Sequence, residues 1–182
     1  MMLLDGMLTA TLSHIIEVKF TDNINFLGII AGAATLAGII QAIRWGVAPF
    51  IVMKIGNMLD KTEQKNFILS IFLASAFLLY FIIPMNVPIL IWLPIIFIHL
   101  LVASVLTTIM DDIVTGYSSR VPNKVLIMTT FTIIVDLAAA LGPMIGYTLE
   151  QKIGLANLFW LAGAICLFLT VLWITLGNEK SK

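Results

Sequence analysis

The sequence predicts an all-α integral membrane protein of six transmembrane helices, a bundle over residues 1–177 with a short charged tail at 178–182. Composition is the first reason: 60% of the 182 residues are hydrophobic and 11% charged, at a mean hydropathy of +1.08, whereas soluble domains carry roughly a quarter charged residues. Spacing is the second. Six apolar blocks of membrane-crossing length, Met1–Val18, Ile24–Leu59, Phe67–Ile83, Pro88–Tyr117, Val125–Leu149 and Ile153–Leu176, are separated by connections too short for a soluble domain. A spanning helix needs ~20 apolar residues, because lipid offers no partner for an unbonded backbone amide. Charge placement along those connections is the third.

The first block lacks a basic leading region and contains Asp5 and His14, so it does not read as a cleavable signal peptide. The second block is the awkward one. Its 36 residues would make a helix of ~54 Å against a hydrocarbon core of ~30 Å. Either one helix kinks near Gly46 and Pro49 and projects from the membrane, or the block holds two short crossings. The turn that follows, Gly56-Asn57-Met58-Leu59-Asp60-Lys61-Thr62-Glu63-Gln64-Lys65, is densely charged and suits a helix end meeting water and headgroups.

Basic residues decide between one crossing and two. In a six-span arrangement Lys61, Lys65, Arg120, Lys124, Lys180 and Lys182 fall on one side, with Lys54 just inside, and only Lys19 and Lys152 on the other. The positive-inside rule then places the 56–65 loop and the C-terminus in the cytoplasm of a multi-pass cell-membrane protein. Splitting the second block spoils this asymmetry, so one crossing is expected there.

Gly56, Asp60, Lys61 and Lys65 resemble the cytoplasmic loop signature of the major facilitator superfamily, a glycine followed by an Asp–basic pair and further basic residues. Glu63 stands where that pattern usually has glycine, and Gln64 where it has a basic residue. Asp112 through Arg120 resembles the acidic-to-arginine exit of the fourth helix in such a six-helix unit. The run from Asp136 to Tyr147, with Gly142, Pro143 and Gly146, resembles the Gly-Pro pattern of the fifth. The resemblance covers nearly the whole chain, and it implies secondary active transport of a small solute by a permease. Members carry two six-helix halves, whereas this chain has one. It is expected to be a C-terminal half truncated at its N-terminus, needing a second half or a second copy. By the same resemblance Asp60 is expected to matter more than the other loop charges, linking helix ends across the cytoplasmic gate. The alternative is a complete six-helix membrane-embedded enzyme or assembly protein of unrelated type.

Functional chemistry would sit in the polar residues inside the spans, since ionisable groups at membrane depth cost a few kcal/mol and face a cavity or a partner. Arg44 lies 16 residues before Asp60 and Asp136 12 residues after Lys124, placing both near the midplane at ~24 and ~18 Å from one side. An Arg44–Asp136 ion pair is geometrically possible, either for anion binding or a proton-coupled switch, or simply to hold two helices together. Asp5, Thr9 and Ser13 recur every four residues, drifting by only ~80° along one stripe. His99 lies ~16 Å deep in the fourth block, with Asp111 offset by ~120°. By resemblance the first and fourth helices line the substrate path, which makes Asp5, Thr9, Ser13, His99 and Asp111 path candidates. The plainer reading is that the hydroxyls bond their own helix and His99 a neighbouring one.

Gly28-x-x-x-Gly32 and Ala138-x-x-x-Gly142-x-x-x-Gly146 are expected to let helices approach closely, and Pro143 and Pro94 to kink theirs. The single cysteine, Cys166, lies in an apolar run and excludes a disulfide framework or a Cys-based metal site. No nucleophile motif, HExxH or phosphate loop is present. Adjacent Asp111 and Asp112 point ~100° apart on a helix and suit no shared ion. The expectation is therefore a non-enzymatic protein without catalytic residues, metal or cofactor. Its partners are the lipid bilayer and a small-molecule substrate, with proton or other ion coupling left open. A net charge of zero gives no reason to expect nucleic acid.

Overall fold

A computed structural model describes residues 6–20, 23–26, 29–62 and 64–179. The described residues are mainly helical, with one hairpin among them: α1 (Leu8–Phe20), β1 (Asn23–Phe26), β2 (Ile29–Gly32), α2 (Ala33–Leu59), α3 (Lys65–Ile82), α4 (Ile89–Ser118), α5 (Lys124–Ile153) and α6 (Leu155–Glu179). Five of these, α2 to α6, are long and apolar enough to cross a membrane, which makes this an all-α membrane-embedded protein. The sixth expected span is not shown. Among the described residues α1 has 13 residues, about 20 Å of helix.

The second apolar block differs most from expectation. It holds one helix of crossing length, but α2 begins only at Ala33, and before it β1 and β2 pair antiparallel from Asn23↔Gly32 to Phe26↔Ile29. Isoleucines at 24, 29 and 30 favour strand. Asparagines at 23 and 25 favour local backbone bonding over helix. A 27-residue α2 is ~40 Å long, enough to cross a bilayer with less excess than a 36-residue helix would carry. Of the expected Gly28–Gly32 helix contact, Gly32 ends a strand rather than standing in a helix, and Gly28 lies outside the described residues.

The packing has a hub. α4 packs against α2, α3 and α5, while α3 pairs closely with α6, and α1 rests on α2 and α5. On the α3–α4–α6 side the core is dry and aromatic, with Tyr80, Trp92, Ile96, Leu100 and Phe159 at most 1% exposed. Gly163 lets α6 approach Tyr80 and Phe77, where a Cβ would meet carbon at 3.4 and 3.6 Å. On the α1–α5 side contact is backbone-close. A Cβ on Gly6 would stand 2.6 Å from the Ala139 carbonyl oxygen, and one on Gly146 would overlap the Met7 side chain. The small-residue run of α5 thus serves packing, with Gly142 and Gly146 its only buried residues. Pro49, Pro94 and Pro143 all sit inside their helices.

The helix ends are tied at both surfaces. At one, Lys19 donates to the carbonyls of Ile83 (2.9 Å) and Met85 (2.6 Å), and the Trp92 indole N–H donates to the same Ile83 carbonyl (2.9 Å). These carbonyls follow the last turn of α3, beyond its helical hydrogen bonds, and that of Met85 also accepts from the Val87 N–H at 2.9 Å. At the other, Lys65 at the start of α3 pairs with Asp112 of α4 at 2.6 Å.

Candidate functional site

The strongest concentration of buried polarity lies where α1, α2 and α4 meet. Arg44 sits in the middle of α2 and is 3% exposed. Its Nη1 donates to Thr9 Oγ1 of α1 at 3.1 Å. On the other side, Nε and Nη2 converge on Ser104 Oγ of α4 at 3.3 and 3.1 Å. The guanidinium also lies 5.4 Å from the Trp45 ring centre, a cation–π geometry. One turn earlier, Gln41 donates from Nε2 to the Thr9 carbonyl at 3.3 Å, while its Oε1 is buried and accepts no hydrogen bond among the described residues.

Local sequence explains the convergence. Gln41 and Arg44 stand three apart, so they share one face of α2. Ser104 lies midway along α4, and Thr108 and Asp111 follow it at four and seven residues, on the same face within ~40°. Ser104, Thr107 and Thr108 hydroxyls each donate to the carbonyl four residues back in α4, as expected of hydroxyls in a spanning helix. Ser104 does so while accepting from Arg44, so it is satisfied in both roles.

Of the residues singled out in the sequence, the structure brings Thr9 and Arg44 together. Ser13 is half-buried one turn along α1 from Thr9, and Asp5 lies outside the described residues. Arg44 does not pair with Asp136: that carboxylate is exposed on α5, whereas Arg44 is buried and reaches Thr9, Ser104 and Trp45. Asp111 is exposed two turns beyond Ser104. Gln41 and Ser104 escaped the sequence reading, although a Gln–Arg pair at i, i+3 in an apolar helix and a Ser/Thr/Asp recurrence in another were signals for them.

His99 stands apart from this cluster. Five residues separate it from Ser104, ~140° around the helix, so it points to α3 rather than α2. It is fully buried, with its ring edge-on to Tyr80 at 4.2 Å between centroids. Neither ring nitrogen has a hydrogen-bond partner among the described residues.

At the loop signature, Gly56 lies in the last turn of α2 with open space where a Cβ would stand. Asp60 caps that helix through its backbone N–H, which donates to the Gly56 carbonyl at 3.0 Å. Its side chain is exposed, as is Lys61. Lys65 is the signature residue with a charged partner, Asp112. A contact absent from the sequence reading joins α1 to α5: His14 Nε2 and Glu150 Oε1 are 3.0 Å apart, and the His14 ring packs on Tyr147 at 5.3 Å. Among the described residues no group of three His, Cys, Asp or Glu side chains could hold a metal ion. Comparison with models of protein families, with curated proteins and with solved structures finds no match.

Proposed function

We propose that the chain is one six-helix half of a major-facilitator-type permease in the cell membrane, contributing to secondary active transport of a small solute. The observation that carries this reading is the Arg44 cluster. A guanidinium buried at mid-helix and shared between α1 and α4 is costly to keep in a bilayer, and the resemblance assigns the substrate path to those two helices. Hydroxyls of both helices receive hydrogen bonds from the guanidinium, which suits a path lined by polar groups. Coupling to protons or other ions is compatible with this arrangement.

In alternating access one bundle rocks against another around a midplane site. A single bundle would therefore be inactive until a second half or a second copy covers its face. The exposed midplane carboxylate of Asp136 on α5 supports that need, since an ionisable group facing hydrocarbon is costly. Reconstitution in liposomes with an imposed pH gradient tests the proposal. Uptake should require a complementing half or dimer and vanish in Arg44→Met. Solute movement by a monomer, or a metal-dependent reaction needing no gradient, would overturn it. Orientation is tested separately. A cysteine replacing Glu63 should resist an impermeant reagent in intact cells, and one replacing Asn86 should react; the reverse pattern would refute a cytoplasmic 56–65 loop.

A further inference from the structure

At the end of the bundle opposite the 56–65 turn lies a cavity of about 250 Å³ between α1, the α3–α4 turn and the start of α6. Its walls are of two kinds. Ile15, Val18, Ala156 and Phe159 make an apolar side, and Lys19 and Asn86 a polar rim. Lys19 is the last residue but one of α1, Asn86 belongs to the turn before α4, and Ala156 is the second residue of α6. Three element ends at one level mark the depth where a spanning bundle meets the headgroups.

The charge of Lys19 is held but not neutralised. Its ammonium donates to the Ile83 and Met85 carbonyls and lies 6.0 and 5.9 Å from the ring centres of Phe20 and Trp92. Among the described residues no carboxylate pairs with it, and the ion pairs lie elsewhere, at His14–Glu150 and Lys65–Asp112. An ammonium has three donors, so one remains after two carbonyls. A fixed positive charge with a spare donor, an adjacent side-chain amide and an apolar wall match a phosphate ester carrying an acyl chain.

We propose that this cavity is a binding site for an anionic phospholipid, its phosphate on Lys19 and Asn86 and the start of one acyl chain along Val18, Ala156 and Phe159. The proposal is independent of transport. A lipid seated there bridges α1, the α3–α4 turn and α6, so binding to the folded bundle raises its apparent stability.

The test is thermal unfolding of the purified chain in neutral detergent with phosphatidylglycerol, phosphatidylcholine or inorganic phosphate added. Phosphatidylglycerol should raise the midpoint by several degrees, phosphatidylcholine by clearly less, and phosphate not at all. Lys19→Gln should lose the preference for the anionic lipid. Since Lys19 also bonds the end of α3, Ala156→Phe provides a second variant that fills the apolar side and leaves Lys19 in place; it should unfold near the parent temperature and no longer respond to phosphatidylglycerol. Equal shifts from the two lipids, or a full response in Ala156→Phe, would overturn the proposal. A full shift from inorganic phosphate would overturn it too, making the site one for a free anion.

Discussion

Arg44 and His99 are both buried on helices that touch each other, yet the bundle treats them in opposite ways. Around Arg44, α1 and α4 supply a hydroxyl each and α2 adds a ring. Around His99, α3 supplies an aromatic face and neither nitrogen has a partner among the described residues. Net hydrogen bonds to charged groups are worth about 1.5–3 kcal/mol, and a buried unmet group costs about 1–3 kcal/mol. Polarity at the α1–α2–α4 junction is therefore built into the packing. In the α3–α4–α6 core it is tolerated by shape alone. The same helix, α4, presents both environments ~140° apart.

The sharpest way to break that contrast is at Arg44. Arg44→Lys keeps the charge but replaces a planar fork with a point donor that cannot reach Thr9 and Ser104 together. Uptake by the complemented transporter should fall by roughly 10- to 100-fold if one charged hydrogen bond of ~1.5–3 kcal/mol is lost. Ser104→Ala should fall less, because Thr9 still holds one end. Unchanged uptake in Arg44→Lys would mean that the cluster serves only to fasten helices.

A second comparison sets Gly6 against Gly146 at the α1–α5 contact. Gly6 faces backbone of Ala139, which cannot yield, whereas Gly146 faces the flexible Met7 side chain. Gly6→Ala should cost ~1–3 kcal/mol by overpacking, and Gly146→Ala less, because Met7 can change rotamer. Thermal unfolding in detergent orders the two; equal losses would show that Met7 is as rigid as the backbone.

At His99 the expected change runs the other way. His99→Leu removes an unmet polar group from a dry site, so stability should hold or rise by up to ~1–3 kcal/mol, less whatever the Tyr80 contact contributes. His99→Gln should be destabilising, since it keeps the polarity and loses the ring. A clear loss in His99→Leu would reveal a partner that the packing around Tyr80 does not supply.

Much of the fold was legible because hydropathy and helix length are set by the same bilayer. Blocks expected at Phe67–Ile83 and Pro88–Tyr117 became α3 over Lys65–Ile82 and α4 over Ile89–Ser118. The β1–β2 hairpin was not read, because the stretch continues without a break into the apolar run of α2, and the strand preference of its isoleucines is weak against that continuity. At the candidate site, Arg44 and Thr9 stood out by being polar in apolar runs. Their pairing did not, since which residues meet depends on how each helix is rotated. That rotation turned Ser104 toward Arg44, left Asp136 exposed and sent His99 into the opposite core.

The smallest effects are expected at the loop, where sequence and geometry put weight on different residues. The resemblance favours Asp60. In the structure the engaged loop charge is Lys65, whose ammonium reaches Asp112 across two helices at 2.6 Å. A lysine in the first turn of α3 opposes the positive end of that helix, so Asp112 offsets an unfavourable placement as well as joining α3 to α4. Both side chains keep about 30% exposure (30% and 27%), and pairs of that kind contribute ~0.2–1 kcal/mol, less at high salt. A double-mutant cycle of Lys65→Gln and Asp112→Asn should return a coupling in that range, shrinking as salt is added. Asp60→Asn should leave stability within ~0.5 kcal/mol, as for surface changes generally, because its exposed carboxylate accepts no bond among the described residues. If uptake nonetheless falls sharply in Asp60→Asn and stays normal in Lys65→Gln, the aspartate works in a second arrangement of the bundle. Its bond would then shift a population between states, which is what a gate requires and a static loop does not.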